Sequence, residues 1–289
     1  MKKFYQIIGI IAVIGLVLLL IIKFNNSKQN MQEVHHEITN SSFFSDHEHK
    51  HSVSSKTNNL KKFSKIKIRV NEADINIAKG DQFQVKVTGR NIKAVKIGVT
   101  NQELTLANDH QASNDDCKLL ITVPDKNAVS NISGSVNEGD VSLNDLTIAE
   151  IDLQMDDGDL SINNIKALKT SFTLDEGDIK VANSTLKADT SNCNDGDLTI
   201  FASQFKTSVS LTDGDISISN SKILGSSSFN LHDGSFQMSE APMISYLLST
   251  HSGNEINFRH NNYSGHFSKV RQHTPLLRVT CGNGDININ

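Results

Sequence analysis

Down the middle of the chain, apolar and polar residues alternate in short runs that break at an acidic-glycine turn and then resume. The turns read Asn137-Glu138-Gly139-Asp140, Asp156-Asp157-Gly158-Asp159, Asp175-Glu176-Gly177-Asp178, Asn194-Asp195-Gly196-Asp197, Thr212-Asp213-Gly214-Asp215 and His232-Asp233-Gly234-Ser235. Their glycines stand 19, 19, 19, 18 and 20 residues apart. A weaker copy, His251-Ser252-Gly253-Asn254, keeps the step of 19, and Gly282-Asn283-Gly284-Asp285 follows 31 later. Apolar residues fall three and five before the glycine, as in Met155 and Leu153 or Leu174 and Phe172, and two and four after it, as in Leu160 and Ile162 or Ile179 and Val181. Period-two alternation on both sides of a tight turn predicts strand, turn, strand in each unit.

A fixed period of this length marks a solenoid, in which a unit buries its apolar face only when a neighbour stacks on it. The expected fold is therefore all-β: a single-stranded β-helix with coils of about 19 residues. A further residue nine after most glycines (Ile148, Ala167, Leu186, Phe205, Ile223, Met243) predicts a third side to the coil. At a strand spacing of about 4.8 Å, roughly eight coils make a rod of about 40 Å. Between residues 65 and 123 shorter strands are legible at Ile66–Val70, Ile75–Ile77, Phe83–Val87, Val95–Val99, Leu104–Leu106 and Leu119–Val123. Their period is irregular, as expected of a segment that protects the first coil from edge pairing.

The pattern changes at the N-terminus. Phe4 to Ile22 carries no charge; as a helix it spans about 29 Å, the thickness of a bilayer core. A transmembrane signal-anchor over 1–24 is expected, because Ile21-Ile22-Lys23-Phe24-Asn25 offers no small-residue cleavage site. The short tail before it places the C-terminal bulk outside the cell. Residues 25–62 are rich in Ser, Asn and His, and predict a flexible tether. His35, His36, His47, His49 and His51 raise metal binding there, although their spacing matches no closed structural site. The remainder, 63–289, is the β-solenoid domain, with 63–126 as irregular cap and first coils and 127–289 as regular repeats.

Composition narrows the function classes. The chain has 289 residues, 37% of them hydrophobic, with no Trp and a net charge of −4; nothing in this supplies the basic field that nucleic acid requires. Three cysteines make no disulfide framework, and Cys193 and Cys281 take the place of the apolar residue three before a turn glycine.

Two candidate sites stand out. Stacking lines up Asp140, Asp159, Asp178, Asp197 and Asp215 in one column, where oxygen-rich, exposed ligands suit calcium; the same acids also serve as turn residues that cap local backbone groups. The second lies where the period breaks. The long last interval carries a basic, aromatic stretch in which Arg259, Lys269 and Arg271 meet anionic cell-wall polymer while Tyr263 or Phe267 stacks on sugar; a loop on one face of the solenoid is the expected form. No catalytic residues are predicted: the repeated acids share one environment, whereas a working acid and base need different ones, and no nucleophile elbow, HExxH, Walker or dinucleotide motif is present.

The order of parts is itself informative: an apolar anchor, the entry strand Phe63-Ser64-Lys65-Ile66, the segment Leu119-Leu120-Ile121-Thr122-Val123-Pro124-Asp125, then repeated Gly-Asp-apolar-x-apolar units. It resembles the bacterial "putative adhesin" family of β-strand-repeat proteins, which includes the LiaG-like envelope-stress proteins. The resemblance spans Phe63 to Asn289. It implies a single-stranded β-helix on the outer face of a Gram-positive-type membrane, with no catalytic residues to carry over. The function expected is a non-enzymatic cell-surface adhesin or envelope-binding protein, whose partners are the membrane, through the single-pass anchor, and cell-wall polymer or envelope proteins. The alternatives are an accessory of an envelope-stress signalling system and a surface polysaccharide-processing enzyme.

Overall fold

The computed structural model describes residues 53–90, 92–108, 117–251 and 253–289. The expected transmembrane helix and the histidines of the tether lie outside the described residues.

Among the described residues, apart from one short 3-10 helix, Ile92–Ala94, the regular structure is strand. Each regular repeat gives a short strand after the glycine corner and a long one before the next: Leu160–Asn163 and Lys166–Glu176, Ile179–Ala182 and Thr185–Asp195, Leu198–Phe201 and Gln204–Asp213. Short strands stack in parallel in one sheet and long strands in a second, thirteen strands in each. The register is that of the repeat. Leu160, Ile179, Leu198 and Ile216 pair in file, as do Met155, Leu174, Cys193, Leu211, Leu231 and Cys281. All ten are buried, in one apolar core shared by the coils.

The third side has no sheet of its own. In Lys166–Glu176 and Thr185–Asp195 the long strand instead bends near its start, where two exposed neighbours, Leu168-Lys169 or Lys187-Ala188, interrupt the alternation, whereas Gln204–Asp213 alternates without a break. Ile148, Ala167, Leu186, Phe205 and Ile223 are buried just before this bend as expected, but Met243 is 63% exposed and Ile244 is buried beside it. The departure begins after Met238, where the chain leaves the regular coil through Pro242.

A second corner, six residues after each glycine, is absent from the sequence reading. Asp145, Asn164, Asn183, Ala202, Asn220 and Glu240 all adopt left-handed φ values between 48° and 59°. Asn and Asp tolerate that region better than other residues carrying a Cβ.

The stack has twelve layers, each with one strand in either sheet, and Ser54–Asn59 extends one sheet by a further strand. Its length is thus about 50 Å, longer than eight coils imply. The extra layers come from the ends, which are built alike. At the N-terminal end, the layer Lys65–Glu72 with Asp74–Lys79 lies between Glu103–Ala107 with Lys118–Val123 and the first regular coil. Outside these, Gln84–Gly89 and Lys96–Thr100 run in reverse, antiparallel to their neighbours. Ser54–Asn59, inside the stretch read as tether, completes the edge. At the C-terminal end, Ser245–Thr250 and Glu255–Phe258 are covered by the reversed strands His266–Lys269 and Asn261–Ser264. The chain then returns, and Leu276–Asn283 and Ile286–Ile288 fill the slot between that layer and the last regular coil. The stretch expected as a surface loop is therefore a reversed terminal coil. Short, polar edge strands such as Asn261–Ser264 are a standard defence against edge-to-edge pairing.

Candidate functional site

The acidic column forms as expected, and its first use is internal. The Asp140 Oδ1 accepts the backbone N–H of Asp159 at 2.9 Å, and the same bond recurs from Asp178 to Asp159, Asp197 to Asp178 and Asp215 to Asp197 at 2.8–3.0 Å. Each carboxylate thus satisfies a peptide group that the turn leaves outside the sheet ladder. The Lys180 Nζ sits between the outer oxygens of Asp159 and Asp178, at 2.8 and 3.1 Å. Desolvation works to raise the Asp159 carboxyl, but the Lys180 ammonium and the Asp178 N–H outweigh it and hold it below the ordinary carboxylate range. Among the described residues no three His, Cys, Asp or Glu side chains converge as a metal site. The cysteines are buried, and desolvation pushes the thiols of Cys117 and Cys193 up to about 11 and that of Cys281 up to about 12.

The C-terminal stretch does bring its predicted residues together. Reversal of the last coil lays Phe267 face to face with Phe258, ring centres 4.4 Å apart. Tyr263 tilts onto Phe267 at 4.6 Å, and Tyr246 meets Phe258 edge to face at 4.9 Å. Two cations ride on this cluster, with the Arg259 guanidinium 5.4 Å and the Lys269 ammonium 5.7 Å from the centre of the Phe258 ring. Arg259, Tyr263, Phe267 and Lys269 line an open cleft of about 200 Å³. Arg271 stands apart from it but is tied to the same patch, because the guanidinium groups of Arg259 and Arg271 reach the Met243 sulfur at 3.5 and 3.9 Å. Arg259 is further fixed by donating to the Ala241 carbonyl at 3.0 Å. The patch thus joins three cations with the exposed side chains of Met243 and Tyr263.

A third feature was missed in the sequence. Along the bend of the long strands runs an open trough of about 760 Å³, half of whose lining residues are Ser or Thr. Its most enclosed residues occupy the position seven before the glycine, where Ile132 and Ile151 stand in earlier coils and Thr170, Asp189, Thr207 and Ser227 in later ones. Asp189 accepts hydrogen bonds from the hydroxyls of Thr170 at 2.7 Å, Ser191 at 3.1 Å and Thr207. Burial raises its carboxyl above the ordinary range despite these three donors. The signal was available: four polar residues in a row replace isoleucine in a column that faces the core.

A sequence model of the Toastrack DUF4097 family matches residues 63–289. The chain belongs to that family. Solved structures similar to this Toastrack chain include one from Bacteroides fragilis NCTC 9343 described as a "putative adhesin", 16% identical, with a TM-score of 0.53 over 82% of this chain and 97% of that one. Another, from Parabacteroides merdae ATCC 43184 and similarly described, is 12% identical, with a TM-score of 0.48 over 83% and 97%. The first shares the fold. No curated protein matches the Toastrack chain.

Proposed function

We propose that this Toastrack chain is a non-catalytic binding protein of the cell surface, anchored by Phe4–Ile22 with residues 63–289 outside, whose capped end captures an anionic polymer of the envelope. The observation that carries this reading is the terminal patch, where Arg259 and Lys269 are held over an aromatic cluster that opens to solvent at Tyr263. The Phe258 ring under both cations, and for Arg259 the bond to the Ala241 carbonyl, preorganise them, so less side-chain entropy remains to be lost on binding. An anionic group meets the guanidinium and ammonium, while Tyr263 and Phe267 offer an apolar face to a sugar ring. The description of the Bacteroides fragilis relative agrees with a surface role.

Two features speak against catalysis. The column acids repeat one environment, each committed to the next coil's peptide N–H, and the enclosed acid of the trough, Asp189, has both carboxylate oxygens engaged by hydroxyls. The test is co-sedimentation of the full-length chain with purified cell-wall fragments before and after chemical removal of their anionic polymer. Binding to intact fragments that weakens with added salt and falls sharply on stripping is expected. Equal binding to both preparations contradicts the proposal.

A further inference from the structure

The trough along the long-strand bend is independent of the terminal patch and has its own chemistry. It crosses six successive layers, from Glu150 and Asp152 to Leu276 and Arg278. At the strand spacing this is a track of about 24 Å, running across the strands along the stack. Its charges nearly cancel. Glu150 and Lys169 neutralise each other through an ion pair of 2.7 Å. Asp152 toward one end and Asp189 near the middle stand against Lys206 and Arg278 toward the other. What remains along the track is a dense row of hydroxyls, including Ser171, Thr190, Ser208 and Ser228.

We infer that the trough is a binding site for an extended, uncharged glycan chain. Three observations point to this class. The groove is long and open, which suits a linear polymer better than a compact ligand. Its lining of hydroxyls can both donate and accept, matching sugar hydroxyls, while the small side chains leave room for pyranose rings. The near balance of charge gives no advantage to a polyanion, unlike the terminal patch. Asp189 acts as a positioning residue: its carboxylate collects the hydroxyls of Thr170, Ser191 and Thr207 and so fixes the floor of the track beneath the exposed hydroxyls of Thr190 and Ser208. The polar column thus replaces isoleucine at the cost of core hydrophobicity and gains a fixed floor.

The test is calorimetric titration of the full-length chain with cellohexaose and chitohexaose as uncharged probes and oligogalacturonate as the charged one. Saturable binding of an uncharged probe is expected. The exposed Ser208, changed as Ser208→Trp to fill the groove without touching the core, abolishes it. Thr207→Val weakens it about tenfold, the equivalent of one hydrogen bond, and Thr207→Ser restores it at a similar melting temperature. Absence of saturable binding to either uncharged probe overturns the inference. So does binding that Ser208→Trp leaves intact, a response confined to oligogalacturonate, or cleavage of a probe into shorter chains. None of these outcomes bears on cell-wall capture by the terminal patch, so the two proposals fail separately.

Discussion

Ala202 holds φ at 48° in a corner where most other coils place Asn or Asp. Relieving that strain with Ala202→Asn is expected to stabilise the chain by about 0.5–1 kcal/mol in denaturant titration. Asp159 and Asp189 respond to pH in opposite senses. The Asp159 carboxyl is depressed, so its contribution is present above the unfolded pKa and is lost as pH falls through the folded one. The Asp189 carboxyl is raised by burial, so stability declines as pH rises from the unfolded value through the folded one. Melting curves across the acidic range should therefore show a smaller decline toward neutral pH in Asp189→Asn than in the parent. Calcium is expected to leave the melting temperature unchanged, because one oxygen of each column acid is occupied by a peptide N–H and Lys180 already bridges Asp159 and Asp178. A rise with calcium would assign the column to the ion instead.

At the scale of the coil, the two corners are held by different means, and only one was legible. The glycine corner announces itself because no other residue fits: Gly177 has φ of 122°, and a Cβ there would lie 2.3 Å from the Gly158 carbonyl oxygen in the coil below. The second corner uses Asn, Asp, Ala or Glu, too varied to read as a signal, and a buried serine column carries part of its hydrogen bonding. The hydroxyl of Ser203 donates to the Phe201 carbonyl at 2.8 Å and accepts the N–H of Ser184 at 3.1 Å. Ser203→Ala leaves that buried N–H without a partner and should cost about 1–3 kcal/mol in chemical denaturation, with the fold retained. The strands of the regular coils were readable because alternation survives wherever one face is buried, as at Leu160 and Ile162, whereas the exposed edge strands Ser54–Asn59 and Asn261–Ser264 carry no such signal. The bend was not. It depends on where two neighbouring residues, Leu168 and Lys169, both turn outward, and a single apolar residue at Ala167 reads equally well as a third side.

For the whole molecule, the order of the layers was the part least visible in the sequence. Local patterning reports strands, but not that Leu276–Asn283 returns to fill a slot beside Ser227–Asp233. The interval of 31 residues between the last two glycines marked the place, and its residues were those of the candidate site, yet their form follows from the need to close a stack. The reversed coil therefore does two things: it ends the sheets in short polar strands and holds Arg259, Tyr263, Phe267 and Lys269 in one cleft. Deleting it would expose the layer beneath, so loss of binding in such a variant would have two causes. Charge reversal separates them. The most direct measurement is wall-fragment co-sedimentation of Arg259→Glu/Lys269→Glu beside its melting temperature, since both cations sit on the rim of the cleft and carry little of the core. A loss of affinity of tenfold or more with melting nearly unchanged is the predicted result; binding that survives the reversal, at an intact fold, would contradict the account.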